Sequence, residues 1–100
     1  MTKIKRYVER IDEELCDAKY YAEKALEYKA AGDADRYAKY KAMAQDELGH
    51  AMTVHEFAVR DIEKLRAVYP TIPAEMLEKW EKAHVDYVDR AAWIKQMLAM

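Results

Sequence analysis

The sequence has little of the residues that make cross-links and turns. It contains one cysteine, two glycines and two prolines in 100 residues. A single cysteine excludes an intramolecular disulfide and a thiolate cluster for zinc or iron-sulfur within the chain. So few glycines and prolines disfavour strand-rich architectures, whereas 52% hydrophobic and 36% charged residues suit long amphipathic helices. The composition therefore predicts an all-α fold, and the length predicts a single domain covering residues 1–100.

Long apolar runs and blocks of one charge are also missing. No apolar run approaches the roughly 20 residues that span a bilayer, and the N-terminal segment is too charged for a signal peptide. The 17 basic and 19 acidic side chains are interspersed and leave a net charge of -2. We therefore expect neither a membrane nor a nucleic acid as partner, and we predict a cytoplasmic protein.

Apolar residues recur every three or four positions in three segments, which is the spacing of amphipathic helices. The predicted helices cover about residues 3–30, 34–68 and 73–98. Gly32 and Asp33 should end the first helix and cap the second, and Pro70 and Pro73 should end the second and open the third. The first two helices then form a long antiparallel hairpin. A shorter third helix cannot cover both apolar faces, so a second copy is predicted to complete a four-helix bundle, giving a dimer or a multiple of dimers.

Glu47 and His50 are candidate metal ligands on the second helix. They are three residues apart and project from the same face. Glu47 also lies seven residues from both Tyr40 and Val54, within the apolar face of this helix. No lysine or arginine lies three or four residues away on this helix. A buried Glu47 would therefore need a cation such as a metal ion to balance its charge.

Glu14 should meet Glu47 across the hairpin. It lies on the inner face of the first helix, about 17.5 residues before the centre of the turn, and Glu47 lies about 15.5 residues after it, a mismatch near 3 Å. The same register places Tyr21 opposite Tyr40, one layer nearer the turn. One chain then offers two glutamates and a histidine, and a two-fold axis would assemble four glutamates and two histidines. This is the ligand set of di-iron carboxylate bundles.

The stretch from Met43 to Ala51, which reads Met-Ala-Gln-Asp-Glu-Leu-Gly-His-Ala, resembles the Asp-Glu-x-x-His-Ala segment of ferritin-like and rubrerythrin-like proteins. With Glu14 upstream, residues 4–65 resemble the half-ferritins, such as the encapsulated ferritin-like proteins. The resemblance implies that Glu14, Glu47 and His50 bind two metal ions per dimer, with iron first and manganese or zinc as alternatives. It also implies ferroxidase or peroxide chemistry, in which dioxygen or hydrogen peroxide oxidises Fe(II). The sequence lacks a flexible targeting tail and rubredoxin-like cysteines, so neither an encapsulating shell nor rubredoxin-type electron transfer is expected.

Two alternatives remain open for the same residues. In the first, Glu14 pairs with Arg10, four residues earlier, while Glu47 and His50 satisfy each other at a dimer seam. The protein would then be a non-enzymatic helical assembly or scaffold protein, such as those of prophage gene sets. In the second, a metal ion staples the dimer without turnover.

Four other side chains could bind a metal or react, and we predict that none of them does. Glu81 and His84 repeat the Glu-x-x-His spacing on the third helix. The helical register sets Glu81 beside residue 60, about 20 Å from Glu47. We therefore predict that Glu81 is solvated and that His84 lies at the edge of the core. His55 lies off the apolar face and is predicted to be exposed, and Cys16 is predicted to be a surface thiol.

Overall fold

The fold is built from three helices and has no strand among residues 2–69 and 72–100, which are the residues that the computed structural model describes. Helix α1 spans Thr2–Ala30, α2 spans Ala34–Val68 and α3 spans Ala74–Leu98. The all-helical class with three helices is confirmed, and each boundary lies within one residue of the predicted one. Pro70, the predicted end of the second helix, lies outside the described residues. Within the described part of the chain, no helix is both long enough and apolar enough to cross a membrane.

A three-residue turn joins α1 to α2 and sets their register. Gly32 adopts a φ of +76°, a left-handed conformation that glycine reaches without steric cost. The backbone N–H of Asp33 donates to the Tyr28 carbonyl at 3.0 Å. The Asp33 carboxylate accepts from the Arg36 backbone N–H at 3.0 Å and caps α2. The predicted stop and cap are therefore both present in the turn.

Small side chains let α1 and α2 approach closely along the hairpin. The buried positions between the helices are mostly alanines: Ala18, Ala22 and Ala25 on α1, and Ala44, Ala51 and Ala58 on α2. Leu15 and Ile94 are the largest fully buried side chains of the described residues. Leu15 belongs to the hairpin and Ile94 to α3, and both lie in the cluster where α3 meets the hairpin.

Helix α3 packs against the hairpin of its own chain. Near its C-terminal end it contributes three buried residues to a cluster with α1 and α2: Ala91, Ile94 and Met97. Near its N-terminal end, Trp80 packs with Ile4 of α1 and Ile62 of α2. Arg90 adds a polar link by donating to the Asp12 carboxylate at 2.6 Å. The third helix is thus an integral part of the core and covers one side of the hairpin.

Candidate metal centre

Glu14 is a charged side chain in the core of the hairpin. It is only 4% exposed and is the one charged residue classed as buried in the described part of the chain. Its position follows from the periodicity of α1, since it lies beside the buried residues Ile11, Leu15 and Ala18. One carboxylate oxygen, Oε1, is 2.8 Å from Nη2 of Arg10. The other, Oε2, faces His50 Nδ1 at 3.6 Å.

The structure brings all three predicted ligands together. Glu47 Oε2 lies 3.8 Å from His50 Nδ1. One donor atom from each of Glu14, Glu47 and His50 lies within 4.8 Å of the other two. The predicted axial register of the hairpin is therefore confirmed at this layer. The burial of the three differs, because Glu14 is buried, Glu47 is half-buried and the His50 side chain is 63% exposed.

The carboxyl groups of Glu14 and Glu47 interact directly. The pKa of Glu47 is raised above its ordinary value, first because a hydrogen bond to Glu14 favours the protonated form, then through burial and the charge of Glu14. His50 acts in the opposite direction, and Asp17 adds further negative charge. The negative potential that reaches Glu47 from Glu14 and Asp17 therefore exceeds what His50 offsets. This is the electrostatic environment in which a divalent cation binds well.

Arg10 supplies the cation that now balances Glu14. The first of the two alternatives predicts this ion pair, and Arg10 Nη2 lies 2.8 Å from Glu14 Oε1. The Arg10 side chain is mostly exposed and also contacts Glu13 at 3.5 Å. Because it reaches Glu14 from solvent, Arg10 can swing away without opening the core.

The three candidate ligands lie on the side of the hairpin that α3 leaves open. On α1, an ion pair joins α3 to Asp12, which is two positions from Glu14 and so about 200° around the helix. On α2, His84 of α3 contacts His55, which is five positions from His50 and about 140° away. The exposed imidazole of His50 therefore points toward a face that a second molecule could cover.

Tyrosines form the next layer toward the turn. The rings of Tyr21 and Tyr40 lie 6.2 Å apart, as the hairpin register predicts. Tyr28 stacks on Tyr40 at 5.5 Å with an interplanar angle of 9°. These contacts fix the relative height of α1 and α2 on the turn side of the candidate metal centre. They help to hold Glu14 opposite Glu47.

The prediction that His55 is exposed is wrong. His55 is half-buried, its ring stacks on Tyr87 at 4.0 Å, and its Nε2 lies 2.9 Å from Nδ1 of His84. The buried face of α2 is wider than the apolar face that contains Val54, because α2 contacts α3 as well as α1. The sequence does carry a signal for the burial of His55, because this residue lies three positions before Ala58, which is buried.

The predictions for His84, Glu81 and Cys16 agree with the structure. His84 is half-buried at the edge of the core, and the exposed Glu81 lies 3.6 Å from Arg66. Cys16 is exposed and accepts a hydrogen bond from Arg90 at 3.2 Å. Met43 lies four residues before Glu47 but is 41% exposed, because the buried line of α2 runs through Ala44 and Leu48.

Acidification should weaken the packing of His55. Burial and the neighbouring His84 lower the pKa of His55 below its ordinary value, with Glu56 acting in the opposite direction. The unfolded chain therefore binds a proton more readily, and stability is lost as the pH falls below about 6.5 through the lowered pKa. In chelator-treated protein we expect the melting temperature to fall between about pH 7 and 5. His55→Gln should show a shallower slope, and equal slopes would contradict this assignment.

Comparisons with protein-family models, with curated proteins and with solved structures return no match.

Proposed function

We propose that two copies of this chain form a ferritin-like four-helix bundle that binds two metal ions between the Glu14, Glu47 and His50 side chains of both copies. We further propose that the assembly oxidises Fe(II) with dioxygen or hydrogen peroxide. The observation that carries the proposal is the convergence of two carboxylates and an imidazole within 4.8 Å, with one of the carboxylates buried. A buried acid beside a second acid is costly unless a cation binds there.

The donor set fits iron. Carboxylate oxygens and imidazole nitrogens suit Fe(II), and they also accept manganese or zinc. Each chain supplies three donors, which leaves a metal ion short of its preferred coordination number unless a second chain or water adds further donors. Pairing two chains gives four glutamates and two histidines, the set used in carboxylate-bridged di-iron bundles.

Apolar side chains on the open face support the pairing of two chains. Met43 and Phe57 lie seven residues before and after His50, so the three side chains share one face of α2. Met43 is 41% and Phe57 is 44% exposed. Large apolar groups on both sides of an open ligand are typical of a surface that a partner buries. A second copy docked there would bring its own Glu14, Glu47 and His50 to the same place.

The side chains have separate tasks in this proposal. Glu14, held in the core, provides a fixed oxygen ligand, while the more exposed His50 can turn to accept an incoming ion. Glu47 gives up any proton it shares with Glu14 as a cation arrives, and Arg10 releases Oε1 of Glu14. When Fe(II) is bound as substrate, two ions supply the two electrons that, with two protons, reduce hydrogen peroxide to two water molecules.

The decisive experiment measures iron binding, oxidation and assembly on the same samples. Untagged wild-type protein is loaded with Fe(II) without oxygen, its metal content is measured by mass spectrometry, and its mass is measured in solution. About one iron per chain in a dimer or a multiple of dimers is expected. Addition of peroxide should then oxidise Fe(II) faster than in buffer. Glu47→Gln should lose both binding and oxidation. The exposed Glu63→Gln makes the same charge change elsewhere on α2 and should lose neither.

An assembly protein without metal is the second candidate, and the Arg10 to Glu14 ion pair favours it. In that case Arg10 is a permanent partner of the buried carboxylate. Replacing Arg10 distinguishes the two candidates. If metal is the natural partner of Glu14, Arg10→Gln should lower the melting temperature of the metal-free protein and strengthen Fe(II) binding several-fold, since a competitor for Glu14 is gone. Lower stability with no metal binding in either protein would support the assembly protein.

A further inference from the structure

His55 of α2 and His84 of α3 form a second pair of side chains that can bind a metal. Nε2 of His55 lies 2.9 Å from Nδ1 of His84, and the rings are 5.1 Å apart with an interplanar angle of 20°. This pair lies on the side of the hairpin covered by α3, whereas Glu14, Glu47 and His50 lie on the open side. The two groups of ligands are therefore separate.

The contact between the two imidazoles requires a free lone pair. At 2.9 Å one ring nitrogen donates and the other accepts. An accepting nitrogen carries no proton, and two protonated rings at this distance would repel each other. Burial and His84 also lower the pKa of His55. The neutral imidazole is the form that binds metal ions, and a change of tautomer in the donating ring would free both contact nitrogens for a metal.

A carboxylate stands at the right spacing to join the pair. Glu81 precedes His84 by three residues, the relation that Glu47 has to His50. In the latter pair this spacing places the carboxylate 3.8 Å from the imidazole. Glu81 is exposed and lies 3.6 Å from Arg66 in the present arrangement, and the three-residue spacing means that a change of rotamer would turn its carboxylate toward His84. Exposed ion pairs of this kind are weak and cost little to exchange.

We propose that His55, His84 and Glu81 form a second metal site, for a borderline divalent cation of the zinc type, that clamps α3 to α2. Nitrogen ligands at about 2.0–2.1 Å in a tetrahedral site are about 3.3 Å apart. The two nitrogen atoms would need to move apart by about 0.4 Å from their present 2.9 Å contact. The rings would also need to turn so that both lone pairs point at the metal, a movement of half-buried side chains at a helix interface. Water from the exposed side would complete the coordination. Metal bound here would strengthen the docking of α3 on α2.

Zinc titration of the untagged, chelator-treated Glu47→Gln variant tests the site, because this variant lacks a carboxylate of the first centre. About one zinc ion per chain should bind and raise the melting temperature. His84→Gln and His55→Gln, each added to this variant, should weaken zinc binding at least about tenfold. Glu81→Gln should weaken it more than Glu78→Gln, which makes the same charge change on an exposed part of α3. Circular dichroism checks that the helices are retained.

Nuclear magnetic resonance of the histidine ring nitrogens identifies the ligands directly. Zinc should shift the ring resonances of His55 and His84 and leave those of His50 nearly unchanged. Zinc affinity that is unchanged from the Glu47→Gln parent in both histidine variants would overturn the proposal, as would shifts confined to His50. This experiment is independent of iron binding at Glu14, Glu47 and His50, so either site can fail without the other.

Discussion

Replacing Glu47 by glutamine should make the metal-free protein more stable and unable to take up iron. The raised pKa of Glu47 reflects a carboxylate held beside Glu14 and partly removed from water. Glutamine keeps the shape, can donate a hydrogen bond to Glu14 and removes the repulsion. A gain of about 1 kcal/mol in the free energy of unfolding is typical when a charged residue of a strained functional site is neutralised. In a domain of this size, that gain raises the melting temperature by about 4–8 °C.

Whether Glu47→Gln raises or lowers the melting temperature of the metal-free protein distinguishes a metal-binding role of Glu47 from a structural one. If Glu47 and His50 serve to stabilise the fold, Glu47→Gln should lower the melting temperature of the metal-free protein. Glu63→Gln, on the exposed side of α2, is the control and should stay within about 0.5 kcal/mol of wild type. Thermal unfolding in the presence of a chelator provides the comparison. Lower stability of Glu47→Gln would contradict the proposed role of Glu47.

Truncating Leu15 to alanine should cost about 3 kcal/mol of unfolding free energy. Leu15 is 0% exposed and belongs to the cluster in which α3 packs on the hairpin. Removing a fully buried leucine side chain forfeits its transfer free energy and leaves a cavity, which together cost roughly 2–5 kcal/mol. A domain of this kind has about 5–15 kcal/mol in total. Urea denaturation should therefore show a large fall in the midpoint for Leu15→Ala.

Two further variants connect this result to the position of α3. Val85→Ala truncates an exposed apolar residue of α3 and should cost less than about 0.5 kcal/mol. Ile94→Ala removes a buried partner of the Leu15 cluster from the α3 side. If both residues pack in one core, the double variant should depart from additivity by about 0.5–3 kcal/mol. If the unfolding free-energy changes of Leu15→Ala and Ile94→Ala were strictly additive, the result would contradict the packing of α3 against Leu15 in solution.

The hairpin could be predicted from the sequence because its determinants are local. The glycine and aspartate of the turn fix where α1 ends and α2 begins, and the helical rise then determines which residues face each other. Glu14 therefore meets Glu47, and Tyr21 meets Tyr40, as expected. The three candidate ligands follow from the same reasoning, because Glu14 and Glu47 are acids on apolar faces and His50 follows Glu47 at helical spacing.

The placement of α3 could not be predicted in the same way. Its apolar face shows that α3 packs against something, but not which side of the hairpin it covers. The half-buried His55 and the buried Met97 are consequences of that choice. From the sequence, the ion pair between Arg10 and Glu14 is only an alternative to metal binding, because four-residue spacing permits the contact without requiring it. Tertiary packing settles each of these points.

The short turn between the helices also limits how the length of the chain can vary. An insertion of one residue between Glu14 and Gly32 would rotate Glu14 by about 100° and remove it from Glu47. Seven residues added to α1 and seven to α2, one group on each side of the turn, would restore both height and direction to within about 20°. Chains that keep this pair of acids should therefore differ in hairpin length by matched steps of about seven residues. Single-residue insertions belong outside the segment between Glu14 and Glu47.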